Sequence, residues 1–238
     1  MTSANPAPPK ARRGLAFRIA RALILLVIAI LLLPYLLAPL YRFVDPVSTL
    51  MLWRRMTLAR VERTWTPLDT ISPALPRAVM IAEDARFCTH RGVDFSELRN
   101  AIEDADDLSE MRGGSTIAQQ TAKNLFLWPG RSVVRKALEF PLALWLDLVL
   151  GKRRLMEIYL NIAEWGPNGE FGAEAAARHA FHKPVRDISA REAALLAAIL
   201  PNPIRRSAAR PGAGVRRLAG IYEGRARRSG PVADCIRR

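Results

Sequence analysis

Residues Ala22–Leu40 form a run of nineteen without a charge, ALILLVIAILLLPYLLAPL. As a helix this run is about 28 Å long, close to the roughly 30 Å hydrocarbon core of a bilayer. It is apolar on every face, which argues against the one-sided helix of a soluble core. Pro34 is expected to kink it, and a transmembrane helix tolerates that better than a soluble one. Lys10, Arg12, Arg13, Arg18 and Arg21 precede the run with no acid among them. The positive-inside rule therefore places residues 1–21 in the cytoplasm and everything after Tyr41 on the other side. A cleaved signal peptide is the alternative, but its apolar core is shorter and ends in a small-x-small site. Ala38-Pro39-Leu40 is a poor cleavage sequence, so the expectation is an uncleaved, single-pass signal anchor at 22–41 behind a basic tip at 1–21, with residues 2–9 disordered.

An anchor of this kind changes how the net charge of +14 is read. The excess is +6 over residues 1–44, zero over 45–204 and +8 over 205–238. A neutral middle offers no nucleic-acid surface, and no nucleic-acid partner is expected. The +6 segment orients the anchor. The basic tail, with Arg205, Arg206, Arg210, Arg216, Arg217, Arg225, Arg227 and Arg228, either rests on anionic lipid or wall polymer or is simply solvated. Two cysteines exclude a disulfide-built scaffold and a multi-cysteine zinc site. Both lie beyond the anchor, in an oxidising compartment. Cys88 sits among chemically suggestive residues and Cys235 in a tail expected to be loose, so no structural disulfide is expected.

Residues 42–66 read as a membrane-proximal connector. Its Leu50, Trp53, Met56 and Leu58 either lie along the membrane interface or belong to an ordinary amphipathic link. The body, 67–204, reads as helices, and 205–238 as a basic helix or tail. Asp94-Phe95-Ser96-Glu97, Thr116-Ile117-Ala118-Gln119 and Ser189-Ala190-Arg191-Glu192 each have the form of a capping box at a helix start. The last opens AALLAAIL, which Pro201 stops. Residues 131–150 and 152–161 read as two helices, the first bent at Pro141, and 172–181 as an alanine-rich third. No run of alternating β-branched residues appears. The fold class is all-α, with one substantial core.

Four segments carry more polar and glycine punctuation than helix packing needs. In the first, Glu83-Asp84-Ala85-Arg86-Phe87-Cys88-Thr89-His90-Arg91-Gly92-Val93-Asp94, adjacent carboxylates end an apolar helix. Partial burial there would raise a carboxylate toward the range of a general base, while a solvated helix end is the simpler reading. In the second, Gly113-Gly114-Ser115-Thr116 opens a helix whose free N–H groups suit an anion. Gln120, Lys123 and Asn124 share a face of that helix, and a plain glycine turn is the alternative. The third, Arg135-Lys136-Ala137-Leu138-Glu139, is either an anion clamp or an i,i+4 surface salt bridge. The fourth, Lys152–Asn161 with Ala163-Glu164-Trp165-Gly166, reads as structural.

Taken in order, these segments resemble the peptidoglycan glycosyltransferase family, and within it the monofunctional biosynthetic transglycosylases of Gram-negative bacteria. The pattern E-D-x-x-F-x-x-H-x-G-x-D falls on Glu83, Asp84, Phe87, His90, Gly92 and Asp94. G-G-S-T-I-x-Q-Q falls on Gly113–Ile117, Gln119 and Gln120, and R-K-x-x-E on Arg135, Lys136 and Glu139. Tyr159–Asn161 and Glu192–Pro203 fit two further segments, so the resemblance covers roughly Ile71 to Pro203. It implies a lysozyme-like helical domain and a lipid-linked disaccharide-pentapeptide substrate, lipid II. The implied reaction attacks the donor C1 with the acceptor 4-hydroxyl, with inversion, and releases undecaprenyl pyrophosphate.

The resemblance assigns Glu83 as general base and Glu139 as a second carboxylate for donor positioning, metal contact or electrostatic support. It assigns Lys123, Arg135 and Lys136 to the pyrophosphate, and Asp84, Phe87, Gly114, Ser115, Thr116, Gln120 and Asn124 to the substrate site. It also implies Mg²⁺ travelling with the pyrophosphate, without a protein metal cage. His90 is expected to be a structural hydrogen-bonder. The expected partners are lipid II, the growing glycan, membrane lipids and other wall-synthesis or division proteins, and the expected location is the bacterial inner membrane.

Because the lipid tail stays in the bilayer, Phe126-Leu127-Trp128 would form a membrane-facing lip or else a buried helix end. The acidic run Glu103, Asp104, Asp106, Asp107 and Glu110 would be a mobile loop over the cleft. A lytic, glycan-cleaving enzyme and a non-catalytic scaffold are the rivals. Cleavage has no pyrophosphate to hold, and the presence of both carboxylates removes the motive for a scaffold. Neither S-x-x-K nor K-T-G occurs, so no transpeptidase activity is expected.

Overall fold

A computed structural model describes residues 10–103, 114–130, 132–230 and 233–237. The 2–9 tip, most of the acidic run and the Arg112-Gly113 pair lie outside these residues. The chain divides after Leu37 into two units. The first is helix α1 (Lys10–Leu37), with Pro34 inside it. Its leucines, isoleucines and valines are exposed on all sides, Ile24 at 60% and Leu36 at 70%, so water is the wrong solvent for this helix. The stretch Gly14–Arg42 is long and apolar enough to cross a bilayer.

The second unit, from Ala38 onward, is built from helices and connecting turns. A 3₁₀ turn (Ala38–Arg42) is followed by α2 (Thr49–Met56), α3 (Ala74–Glu83), α4 (Phe95–Glu103), α5 (Ile117–Phe126) and α6 (Val133–Ile162). Then come α7 (Ala173–Phe181), α8 (Ala190–Ile199), α9 (Ala213–Arg228) and α10 (Asp234–Arg237). The described residues contain no strand, only isolated bridges such as Glu62 with Glu170. The three expected helix starts are observed. Thr116 and Ser189 form full capping boxes with Gln119 and Glu192, and Asp94 Oδ1 accepts the N–H groups of Ser96 and Glu97 at 3.1 and 3.2 Å.

The core draws on α3, which packs on α8, and on α5, which packs on α6. Leu75, Val79 and Met80 of α3, Ile117 of α5, Leu155 and Ile158 of α6 and Leu196 of α8 are fully buried. Each such side chain contributes roughly 1.5–3 kcal/mol. The alanines of α8 let its two neighbours, α3 and α9, approach closely. The two helices expected over 131–150 and 152–161 are observed as the two halves of α6, separated at Gly151, where φ 73° and ψ 165° require glycine.

Polar anchors tie the connector to this core. The Asn161 amide donates to Thr66 O at 2.9 Å and accepts from Thr66 N at 2.8 Å. Arg154 reaches Tyr41 O at 2.8 Å, Val44 O at 2.9 Å and Asp45 Oδ1 at 2.9 Å. Arg54 of α2 pairs with Glu164, just beyond α6. Of the residues suggested for a membrane interface, Trp53, Met56 and Leu58 are exposed.

One expectation is overturned. Cys88 and Cys235 form a disulfide across 147 residues, with Cα atoms 5.5 Å apart. The tail is not loose where it matters: α10 packs on α6, Ala233 and Ile236 are buried, and Arg153 donates to Ile236 O at 2.8 Å. Two buried side chains thus bring Cys235 to the loop that carries Cys88, and a basic tail read as sequence gives no sign of this. Closing so long a loop restricts the unfolded chain. Replacing either cysteine by serine is expected to cost about 2–5 kcal/mol. Unfolding of wild type and both variants, with and without reductant, tests this: reductant should destabilise only the wild type.

Candidate active site

Glu83 is the last residue of α3, whose buried face (Leu75, Val79, Met80) sets its direction. Its carboxylate is half-buried, and Gln120 Nε2 of α5 donates to its Oε2 at 2.8 Å. Burial pushes the carboxyl above its usual range, and neighbouring Asp84 adds to this. The Gln120 hydrogen bond, Lys123 and Arg206 pull the other way without cancelling the rise. A carboxylate balanced like this is a candidate proton acceptor.

The rest of the first segment holds the loop after Glu83. Asp84 is buried; His90 Nε2 lies 2.8 and 3.1 Å from its oxygens, and Ile117 N donates to Oδ2 at 3.0 Å. That N–H belongs to the first turn of α5, where it has no intrahelical partner and the helix dipole favours a negative charge. Phe87 is buried beneath Lys152, whose Nζ sits 4.6 Å from the ring centroid. Gly92 accepts from Thr116 Oγ1 at 2.5 Å. Its φ is 76°, and a Cβ there would be driven into the Ala143 carbonyl, so only glycine lets the loop lie against α6.

The cations gather around Glu139, a buried carboxylate near the start of α6. Arg135 holds one oxygen from a turn earlier, and Lys136 Nζ holds the other at 3.0 Å. Lys136 also donates to Ser115 Oγ at 2.8 Å. The third segment is thus an i,i+4 ion pair, but an inward-facing one. Burial, with Arg135 and Lys123 nearby, lowers Lys136 to about 8. Burial and Arg135 lower Lys123 as well, against the pull of Glu83. Among the described residues Lys123 is in no ion pair, while Arg135 and Lys136 share Glu139, so the group is rich in positive charge. Such a cluster suits a ligand that brings two negative charges.

The Glu83–Gln120 hydrogen bond links residues that line two different cavities. One, of ≈ 410 Å³, is lined by Gln120, Lys123, Asn124, Arg135 and Tyr159. The other, of ≈ 210 Å³, is lined by Glu83, Asp84, Gly114, Ser115 and Thr116. Of the residues named from sequence, Glu83, Gly114, Ser115, Gln120, Lys123, Asn124, Arg135 and Lys136 come together here. Phe87 and Glu139 lie beneath the surface, and the Thr116 hydroxyl is committed to Gly92 and to its own cap. Sequence reasoning gave neither Tyr159 nor Arg206 a role in this site: Tyr159 was only part of a segment fitting the family, and Arg206 only part of the basic tail. A tyrosine inside an apolar helix needs a partner for its hydroxyl, and that was the available signal for Tyr159. Arg206 carried none.

The Mg²⁺ that the resemblance implies would arrive with the pyrophosphate, and the donor set here bears only on a resident ion. Among the described residues no three His, Cys, Asp or Glu side chains gather to hold an ion, and both Glu139 oxygens are taken by Arg135 and Lys136. These side chains do not fit a resident magnesium ion.

Residues 51–223 match the family model described as Transglycosylase. The chain is 63% identical over 204 residues to a biosynthetic peptidoglycan transglycosylase of Nitrobacter hamburgensis, covering 86% of this chain and 90% of that protein. It is 62% identical over 210 residues to the protein of that name in Rhodopseudomonas palustris strain TIE-1, covering 88% and 89%. To the one in Agrobacterium fabrum it is 53% identical over 220 residues, covering 92% and 97%.

Because Lys136 loses its charge as pH rises through about 8, affinity for inorganic pyrophosphate, measured by calorimetry, should fall across that range. Lys136→Arg, charged throughout, should remove the fall. Gly92→Ala should destabilise the fold by about 1–3 kcal/mol in thermal unfolding, since it adds both backbone strain and a clash.

Proposed function

The chain belongs to the transglycosylase family, and we propose from this that it polymerises lipid II into peptidoglycan glycan strands. The observation that carries the mechanism is a half-buried carboxylate, Glu83, that feels the partly desolvated Lys123, itself close to Arg135 and Lys136, with Glu83 and Lys123 lining two cavities. A transfer between two large substrates needs a base on the acceptor, a sink for the leaving charge and room on either side of the base.

In this reading Glu83 takes the proton from the acceptor 4-hydroxyl as its oxygen bonds to the donor C1. The C1–O bond to the pyrophosphate breaks on the opposite face, and undecaprenyl pyrophosphate leaves with the electron pair. Lys123, Arg135 and Lys136 stabilise the developing charge. Glu139, with its two oxygens paired to Arg135 and Lys136, balances them while no diphosphate is present. Ser115 fixes Lys136, and Asn124 lines the same wall as Lys123. Hydrolysis of glycan releases a neutral sugar hydroxyl and gives the three cations nothing to stabilise, so a lytic activity is not favoured.

Substrate and enzyme meet at the membrane. The basic residues before α1 support a cytoplasmic N-terminus, and the Cys88–Cys235 bond supports an oxidising compartment for the catalytic unit. Together they favour a single-pass protein of the inner membrane that faces the periplasm. Of the three residues suggested for a membrane-facing lip, Leu127 is buried and Phe126 stacks on Tyr41, which leaves Trp128 as the exposed one.

Purified full-length protein with labelled lipid II tests the assignment. Glu83→Gln should lower the polymerisation rate by about 10²–10⁴-fold while the protein still binds lipid II. An unchanged rate would refute the role of Glu83. Intact glycan strands should remain uncut.

A further inference from the structure

Tyr159 lies in the second half of α6, is 1% exposed, and sits 39 residues from the α5 glutamine that its hydroxyl reaches. The hydroxyl donates to Gln120 Oε1 at 3.1 Å. The other end of the same amide donates to Glu83 Oε2 at 2.8 Å. An amide has one accepting and one donating end, so whatever fixes one end decides what the other presents. Burial, with Glu83 and Asp84 nearby, holds the Tyr159 phenol well above its usual range, so it remains a donor throughout the working pH range. A donor at that position selects the carbonyl of Gln120, and the N–H₂ is thereby turned toward Glu83.

We propose that Tyr159 is a positioning residue for the general base: its hydroxyl orients the Gln120 amide so that an N–H, and not a carbonyl, meets the Glu83 carboxylate. The inference rests on Glu83 being that base. Without the hydroxyl the amide is free to turn over, and its carbonyl oxygen would then oppose the ionised carboxylate. The other groups facing Glu83 are Lys123 on α5, Arg206 after α8, Tyr222 on α9 and its neighbour Asp84. Lys123 and Arg206 favour the ionised form and Asp84 opposes it. None of them fixes the amide, so none substitutes for the missing hydroxyl.

The sign follows directly. The Gln120 bond favours ionised Glu83 against burial, so losing it makes the carboxylate harder to ionise. The acid limb of kcat/KM for lipid II polymerisation then moves to higher pH. For Tyr159→Phe the expected shift is about one unit, a roughly tenfold loss on the acid side that shrinks as pH rises. Gln120→Leu should move the same limb, and the double variant no further than Gln120→Leu alone, because Tyr159 acts through Gln120.

A pH profile for Tyr159→Phe that superimposes on wild type overturns the proposal. So does a loss uniform across pH, which is what damaged packing would give. If Tyr159→Phe fails to fold, the half-buried Gln120→Leu decides, and an unshifted limb there is equally fatal. Glu83→Gln is run alongside. If it stays active, the general-base reading falls; if it is inactive while the Tyr159→Phe limb is unmoved, only the present proposal falls.

Discussion

The carboxylate of Asp84, buried against the N-terminus of α5, is the contact on which the site's geometry turns. It fastens the chain just after Glu83 to the backbone N–H of Ile117. Three residues further along the same helix is Gln120, which holds Glu83 itself. One buried charge thus sets both the end of α3 and the register of α5 beside it. A carboxylate can be buried there because the helix terminus supplies an unsatisfied donor and a favourable dipole, and His90 Nε2 lies against both of its oxygens.

The cations follow a related rule with the opposite sign. Arg135, Lys136 and Lys123 are partly withdrawn from water, which disfavours charge on each. Glu139 offsets this for Arg135 and Lys136. Lys123 makes no ion pair among the described residues, and only Glu83 favours its charge. The cluster is therefore short of negative charge until an anionic ligand arrives. That shortage favours a diphosphate over a neutral sugar, and it places the stabilising groups before the reaction begins, so none has to reorganise as the leaving group departs.

Glu83 sits between opposing demands. Burial makes it a stronger base, while Gln120, Lys123 and Arg206 keep it ionised enough to accept a proton. The relay from Tyr159 through Gln120 connects this balance to the core of α6. The second half of α6 is thus packing and chemistry at once, and the Cys88–Cys235 bond holds the loop after Glu83 from its other side.

Much was legible before any coordinates. An uncharged apolar run of this length behind basic residues is long and apolar enough to cross a bilayer, which the line of letters already shows. Hydroxyl or carboxylate caps three residues before a partner announce helix starts, because the unsatisfied N–H groups there need acceptors. Spacing put Glu83 at a helix end, and put Gln120, Lys123 and Asn124 on one face of α5. What sequence left open was decided by contacts between residues far apart in the chain. A run of five residues cannot show whether Arg135 and Glu139 face water or the core. No local pattern brings Cys235 to Cys88 across 147 residues, or Tyr159 to Gln120 across 39. Helix periodicity and capping are short-range and can be read in a line of letters. Burial, and with it the ionisation of Glu83 and Lys136, exists only once the helices have closed on one another.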